Sequence, residues 1–174
     1  TDMALIDKFP QIKLPNRFFL YIGEAKFEDA GAAVNNSKET FSNGAIYADL
    51  DNDGDLDIIV NNIDDPVLLY KNTTNDAKAK PAIRLKLIGP PGNRNATGAK
   101  LVIYKSGERE VYEKNPVRGF QSAMEVSLQF AVPVGYDSSL LIWPDNTYQP
   151  VTIIKDSLTL QLSYKSGLPE FNYA

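Results

Sequence analysis

The feature that most constrains the fold is a series of short apolar runs separated by turn residues. Several runs alternate apolar and polar residues with period two, as Ile83, Leu85 and Leu87 do against Arg84 and Lys86. This alternation is typical of half-buried β-strands. No window of 11 or more residues carries a helical apolar stripe. The chain is therefore predicted to be all-β, with strands at 17–22, 45–48, 56–60, 67–70, 82–88, 99–104, 110–113, 125–130, 139–143, 150–154 and 157–164.

Two features divide the 174 residues into an N-terminal and a C-terminal region. Residues 72–81 are polar and nearly without large apolar side chains, which predicts a linker or a long loop. The dipeptide Leu-Tyr occurs at 20–21 and again at 69–70, each time ending an apolar run. A spacing of this size fits a blade-type β repeat. A propeller closes with about four to eight blades, so residues 1–80 are predicted to be an incomplete propeller whose remaining blades belong to a larger parent chain.

Charge is concentrated in one short segment. The chain has 18 basic and 22 acidic side chains, and residues 49–65 alone contain seven aspartates and no lysine or arginine. Such local acidity indicates a cation site rather than a generally acidic surface. No basic stripe with interleaved aromatic residues is present, so no nucleic-acid partner is expected. No run of about 18 apolar residues is present either, so no transmembrane segment is expected.

The absence of cysteine and histidine excludes several kinds of chemistry. A disulfide framework, a zinc finger and a thiol nucleophile all require cysteine. Ser-His-Asp and Cys-His mechanisms require histidine, as does nearly every catalytic zinc site. These absences exclude a large share of enzyme chemistry, and we interpret the chain as non-enzymatic, with no catalytic residues assigned.

The aspartates follow the pattern D-x-D-x-D-G-x-x-D. Alternate side chains of a tight loop can converge on one point, and Gly54 permits the positive φ that a sharp turn needs. Calcium takes six to eight oxygen ligands at about 2.3–2.6 Å. The pattern therefore predicts a Ca²⁺ site with five protein ligands. Asp55 contributes its backbone carbonyl, and four residues contribute carboxylates: Asp49, Asp51, Asp53 and Asp57.

Three alternatives to this calcium loop were weighed. An EF-hand has the same opening spacing, but its twelfth position would be Val60 where a bidentate Glu is needed, and the flanks are strand-like. Mg²⁺ suits the pattern less well, because it keeps more of its waters. A solvated acidic turn without an ion is the third alternative. No Lys or Arg within the segment could relieve the repulsion between its carboxylates.

The first region resembles FG-GAP (VCBS-type) repeats, the calcium-bearing blades of integrin-α-like propellers. The resemblance is carried by N-R-F-F-L-Y at 16–21, F-E-D at 27–29, A-D-L-D-N-D-G-D-L-D at 48–57 and V-N-N at 60–62. Downstream, G-A-K-L-V-I at 98–103, R-G-F at 118–120, L-Q-F at 128–130, Gly135 and L-I-W-P-D at 141–145 resemble an ASPIC/UnbV domain. That domain commonly follows such repeats in secreted and surface proteins.

The resemblance implies a partial propeller at 1–80 followed by a small β-sandwich or barrel-like domain at 81–174. It implies no catalytic constellation, so only the calcium ligands carry over. Two departures stand out: Asn146 replaces the usual Gly after Trp-Pro-Asp, and Gln129 with residues 131–134 replaces a His-Phe-Gly-Leu-like stretch.

Two other groups of residues are candidates for a functional site. Glu108, Glu110 and Glu113 suggest a carboxylate pair for acid-base chemistry, but a solvated hairpin face explains them as well. Trp143 suggests a platform for a sugar ring, although it closes an apolar strand and is therefore expected in the core.

The expected function is that of an extracytoplasmic calcium-binding module that binds a protein or glycan ligand. The alternative is an accessory region of a polysaccharide-degrading enzyme whose catalytic residues lie elsewhere in the parent chain.

Overall fold

The computed structural model describes residues 10–35, 38–76, 82–124, 127–131, 133–154 and 159–173. Within these residues the chain is all-β, as predicted, and its only helices are two single 3₁₀ turns, Gly31–Ala33 and Pro91–Asn93.

The N-terminal region contributes seven short antiparallel strands. β1 pairs with β4, β2 and β3 form a hairpin, and β5, β6 and β7 form a three-stranded sheet in that order. Their bounds are β1 Leu14–Pro15, β2 Phe19–Gly23, β3 Lys26–Asp29, β4 Glu39–Thr40, β5 Ser42–Ala48, β6 Asp57–Asn62 and β7 Leu68–Tyr70.

The C-terminal region forms two larger sheets and one small hairpin. One sheet has the order β10-β9-β14-β15, the other has the order β13-β8-β16, and β11 pairs with β12. All pairs are antiparallel except β8 with β16, which is parallel. The bounds are β8 Ala82–Ile88, β9 Lys100–Lys105, β10 Glu108–Glu113, β11 Val117–Gly119, β12 Ser122–Ala123, β13 Leu128–Ala131, β14 Ser138–Ile142, β15 Tyr148–Pro150 and β16 Thr159–Ser163.

One apolar core joins the two larger sheets. Alternate residues of β8 are buried, as their period-two pattern predicted, and they pack with buried residues of β9, β13 and β14. Trp143 is 1% exposed and meets the Tyr164 ring edge-on at 5.4 Å between ring centroids. Burying an apolar side chain stabilises a fold by about 1.5–3 kcal/mol, so Trp143 serves the core and is not exposed to stack on a sugar. Between the described residues the strands form separate small sheets and no closed barrel.

The N-terminal region exposes much of its apolar surface. Side chains of the β2–β3 hairpin such as Phe19, Tyr21 and Phe27 are about three-fifths exposed. The region is nevertheless attached to the second one, because β5 packs on the β11–β12 hairpin. A Cβ on Gly44 would lie 2.7 Å from Ser122 Oγ and 3.0 Å from the Phe120 carbonyl oxygen. Glycine is therefore required at Gly44 by the close approach of the two elements.

Several boundaries differ from the sequence expectation. The predicted strand at 150–154 is replaced by the three residues of β15, although Val151 and Ile153 are still buried. The two-residue strands β1, β4 and β12 were not predicted, because they are too short to show a period. The predicted strand starts at 125 and 157 and the predicted domain boundary at 80/81 lie outside the described residues. Asn146 adopts φ +67°, the left-handed turn expected where the family has glycine.

Across the described residues, no helix has the length and apolar character needed to cross a membrane.

Candidate metal centre

The Asp cluster forms the connection between two antiparallel strands. β5 ends at Ala48, β6 begins at Asp57, and these two residues are register partners. Within the loop, Asn52 (φ +60°) and Gly54 (φ +92°) have left-handed backbone conformations. A Cβ on Gly54 would meet its nearest neighbours at ordinary contact distance. Glycine is therefore favoured there by its positive φ and not by lack of space.

Three of the five predicted ligands converge in this loop. Asp49, Asp51 and Asp53 each offer a carboxylate oxygen, and these oxygens lie within 4.8 Å of one another. No other group of three or more metal-ligating side chains is this close in the part of the chain that the structure describes. Carboxylates at such distances repel one another unless positive charge is nearby. That charge comes from outside the loop, from Arg84 and Lys71.

Asp49 is held by the second region. Its side chain is 4% exposed, and its Oδ2 accepts hydrogen bonds from Arg84 Nη2 at 2.9 Å and Gln129 Nε2 at 3.3 Å. Arg84 and Gln129 are cross-strand partners on β8 and β13. The other oxygen, Asp49 Oδ1, is buried and has no hydrogen-bond partner. One oxygen of Asp49 therefore fixes the loop to the second sheet, while the other is left available.

Asp51 has a more exposed counter-ion. Lys71 Nζ lies 2.9 Å from Asp51 Oδ2 and 3.1 Å from Asp76 Oδ1. The hydrogen bond from Lys71 lowers the pKa of Asp51. The hydrogen bonds to Asp51 and Asp76 raise the pKa of Lys71 well above its usual range. Both groups are substantially exposed to solvent, so the pair adds little to stability.

Asp53 and Asp55 are fixed by the segment that follows β7. Asp53 Oδ1 accepts the backbone N–H of Asp55 at 3.0 Å, and Asp55 Oδ2 accepts the backbone N–H of Asn75 at 3.0 Å. Asp53 Oδ2 and Asp55 Oδ1 are buried without a hydrogen-bond partner. Burial raises the pKa of Asp55, opposed by the hydrogen bond from Asn75. The sequence predicted a role for the backbone carbonyl of Asp55, and the structure shows that its side chain also belongs to a buried hydrogen-bond network.

Asp57 braces the base of the loop. It is 2% exposed, its Oδ2 accepts the backbone N–H of Leu50 at 3.1 Å, and its Oδ1 accepts the backbone N–H of Asn72 at 2.8 Å. Both carboxylate oxygens therefore already accept a backbone hydrogen bond. These two hydrogen bonds brace the loop, and the ligand role that the spacing predicted for Asp57 stays a prediction.

Sequence reasoning missed the residues that surround the loop. Residues 72–76 were interpreted as the start of a linker, but they fold back on the Asp loop through Asn72 and Asn75. Their Asn-rich composition was the available signal, because Asn side chains commonly form local turns. Arg84 and Gln129 gave no signal, because each appears only as a polar residue on an alternating strand.

Three carboxylate oxygens of the loop are buried without a hydrogen-bond partner, and two of them belong to the converging aspartates Asp49 and Asp53. A buried polar atom without a partner costs about 1–3 kcal/mol, and Asp49, Asp53 and Asp55 each have one such oxygen. Carboxylate oxygens are the ligands that a hard divalent cation prefers. The arrangement therefore fits a hard divalent cation.

A cleft of about 450 Å³ adjoins the loop between β5 and the β12–β13 segment. Its lining includes Tyr47, Met124 and the hydrogen-bonded group of Asp49, Arg84 and Gln129. Polar groups converging in a partly apolar cleft are typical of ligand sites.

The glutamates of β10 do not line the cleft beside the Asp loop, and only Glu113 lines a neighbouring cleft of about 250 Å³. Glu108 and Glu110 are exposed neighbours on one face of the β9–β10 hairpin, and Tyr112 Oη donates to Glu110 Oε2 at 2.8 Å. Burial, assisted by Glu110, raises the pKa of Tyr112 to about 12. The hairpin-face interpretation of Glu108 and Glu110 therefore agrees with their exposure.

Residues 89–169 match the protein family described as ASPIC and UnbV. The matched range begins just after β8 and ends beyond β16, so it covers most of the two larger sheets. This confirms the resemblance predicted for the second region. None of the curated proteins matches the chain. The similarity of residues 1–80 to FG-GAP repeats stays a prediction.

Proposed function

We propose that this chain, with its ASPIC/UnbV-matching region, is a non-enzymatic calcium-binding module of a larger surface or secreted protein. The observation that carries the proposal is the convergence of Asp49, Asp51 and Asp53 together with three buried carboxylate oxygens that have no hydrogen-bond partner. An acidic turn in solvent would leave its carboxylates hydrated. Here the side chain of Asp49 is 4% exposed, so bulk water does not hydrate its carboxylate.

Calcium fits this donor set better than the other common metals. All available ligands are oxygens, whereas zinc and copper sites use histidine or cysteine. Magnesium requires near-ideal octahedral geometry and keeps several waters. In the proposal, Asp49, Asp51 and Asp53 hold the ion through side chains and Asp55 contributes an oxygen. Asp57 holds the loop in shape.

The role of the ion is structural. It cross-links a loop that also contacts the segment after β7 and the sheet containing β8. An ion that binds only the folded state adds stability as RT ln(1 + [L]/Kd), about 2.7 kcal/mol at a hundredfold excess over Kd.

The module is proposed to act in adhesion or ligand presentation, outside the cytoplasm. Residues 1–80 serve as the last part of an incomplete FG-GAP propeller, and the remaining blades of the parent chain cover the exposed β2–β3 hairpin. The cleft beside the loop offers a surface for a protein or glycan ligand. Glycan-array binding without turnover supports a binding module, whereas saccharide turnover by this chain contradicts it.

Calcium titration calorimetry on chelator-treated protein tests the cation site. We expect one site that is lost in Asp53→Asn and retained in the matched control Glu108→Gln, an exposed carboxylate on β10. Melting in chelator should occur at a lower temperature than in calcium. No binding at millimolar calcium, with equal melting temperatures in both conditions, overturns the proposal.

A further inference from the structure

Two carboxylates of the Asp loop are neutralised in different ways. Asp49 pairs with Arg84 inside the junction between the two regions, and its side chain is 4% exposed. Asp51 pairs with Lys71, and these side chains are 40% and 48% exposed. The first pair is fixed by its surroundings, because Gln129 also donates to the same oxygen of Asp49. The second lies in solvent, where either side chain can reorient.

Lys71 has a second carboxylate within reach. Its ammonium lies 3.1 Å from Asp76 Oδ1 while it contacts Asp51. Asp76 is 44% exposed and belongs to the segment that folds back on the loop. Because exposed ion pairs are weak, Lys71 can leave Asp51 at little cost and keep Asp76 as its partner.

A divalent ion at the convergence point of Asp49, Asp51 and Asp53 uses the carboxylate that Lys71 already binds. Two cations on one carboxylate repel each other. We propose that Lys71 is an internal counter-ion that occupies Asp51 in the absence of metal, moves toward Asp76 when calcium binds, and thereby weakens the calcium affinity of the loop. The inference rests on the proposed function, because it concerns the same site.

Calcium titration calorimetry of the wild type and of Lys71→Met tests the proposal. The substitution removes the charge and keeps an unbranched side chain. We expect the calcium Kd to fall by about three- to tenfold at low ionic strength, and the difference to shrink as salt screens the ammonium. The matched control Lys105→Met removes an exposed lysine of β9, and its Kd should stay within about 1.5-fold of wild type.

Asp76→Asn separates a local exchange of partners from a general charge effect. In the wild-type background, Asp76→Asn should weaken calcium binding, because Asp51 is then the one carboxylate of the pair that can still bind the Lys71 ammonium. In the Lys71→Met background this effect should be largely absent, which a double-mutant cycle measures.

The outcomes distinguish this inference from the proposed function. A wild type that binds calcium, with an unchanged Kd in Lys71→Met at both salt concentrations, overturns the inference alone. Calcium binding by Lys71→Met but not by wild type supports it. Absence of binding in both proteins overturns the proposed function and the inference together.

Discussion

Arg84 Nη2 lies 2.9 Å from Asp49 Oδ2, so a strand of the second sheet holds the first aspartate of the loop that follows β5. The contact spans 35 positions of sequence. Because the side chain of Asp49 is 4% exposed, its charge depends on this partner and on Gln129 for compensation. The structure of the candidate cation site and the attachment of the two regions are therefore linked.

Removing Arg84 should destabilise the protein when calcium is chelated. Arg84→Met leaves a buried carboxylate with only one donor, and the expected loss in the free energy of unfolding is about 1–3 kcal/mol. Calcium should reduce this loss, because the ion compensates the same carboxylate. Urea unfolding with chelator and with calcium measures both values. Equal stability of Arg84→Met and wild type in chelator would show that the pair does not fix the loop.

Asp57 and Asp51 should respond oppositely to amide substitution. Asp57→Asn places an amide donor against a backbone N–H of Leu50 or Asn72, since one carboxylate oxygen is lost. We expect a loss of about 1–3 kcal/mol in the free energy of unfolding, with or without calcium. Asp51→Asn should change the stability in chelator little and remove most of the calcium-dependent stabilisation.

Thermal melts of both variants with and without calcium make this comparison. If Asp57→Asn lost only the calcium-dependent part of its stability, Asp57 would be a ligand and not a brace.

Gly44→Ala should disrupt the packing of β5 on the β11–β12 hairpin. The new Cβ would meet Ser122 Oγ at 2.7 Å and the Phe120 carbonyl oxygen at 3.0 Å. Overpacking of this kind costs about 1–3 kcal/mol. Gly92→Ala is the matched control, because a Cβ on Gly92 has no neighbour within 4 Å.

Adding Ser122→Ala to Gly44→Ala should restore only part of the stability, because the carbonyl contact remains. Chemical denaturation of wild type, Gly44→Ala, Ser122→Ala and the double variant measures this coupling. A Gly44→Ala variant as stable as the Gly92→Ala control would show that the two elements can separate without cost.

The local parts of the site could be predicted from sequence, and the tertiary parts could not. The D-x-D-x-D-G spacing predicted that Asp49, Asp51 and Asp53 would converge, because alternate side chains and a left-handed glycine determine that geometry over a few residues. Gln129 contacts Asp49 across 80 positions. Nothing in its own strand distinguishes it from any other polar residue on an alternating face.

The same distinction applies to the fold. The period-two run predicted β8 well, because one face of this strand is buried in the common core. The β11–β12 hairpin was missed, because its five described strand residues form a β-strand pair only through their contacts with each other and with β5. The backbone contacts of Asp57 could not be predicted either, since Leu50 and Asn72 donate to it only once the loop has folded, and its role as a ligand stays a prediction.

Asp145 should contribute stability that depends on pH. The Tyr164 hydroxyl donates to Asp145 Oδ2 at 2.7 Å, and the Thr147 hydroxyl donates to Oδ1 at 2.7 Å. The hydrogen bond from Tyr164, followed by those from Thr147, lowers the pKa of Asp145 in the folded protein. Because the folded protein favours the charged form, this contribution is present above the unfolded-state pKa of about 3.9. It is lost as pH falls through the lowered, folded-state value.

Tyr164→Phe tests this dependence, because it removes the hydroxyl and keeps the ring against Trp143. The free energy of unfolding should be lower than that of wild type near neutral pH, and the two curves should converge as pH decreases below about 4. Urea unfolding between about pH 3 and pH 7 measures the difference. Leu168→Ala is a suitable control, because it perturbs the margin of the same core without a titratable partner. If the difference between Tyr164→Phe and wild type were as large at acidic pH as at neutral pH, the hydroxyl would stabilise the fold independently of the charge on Asp145.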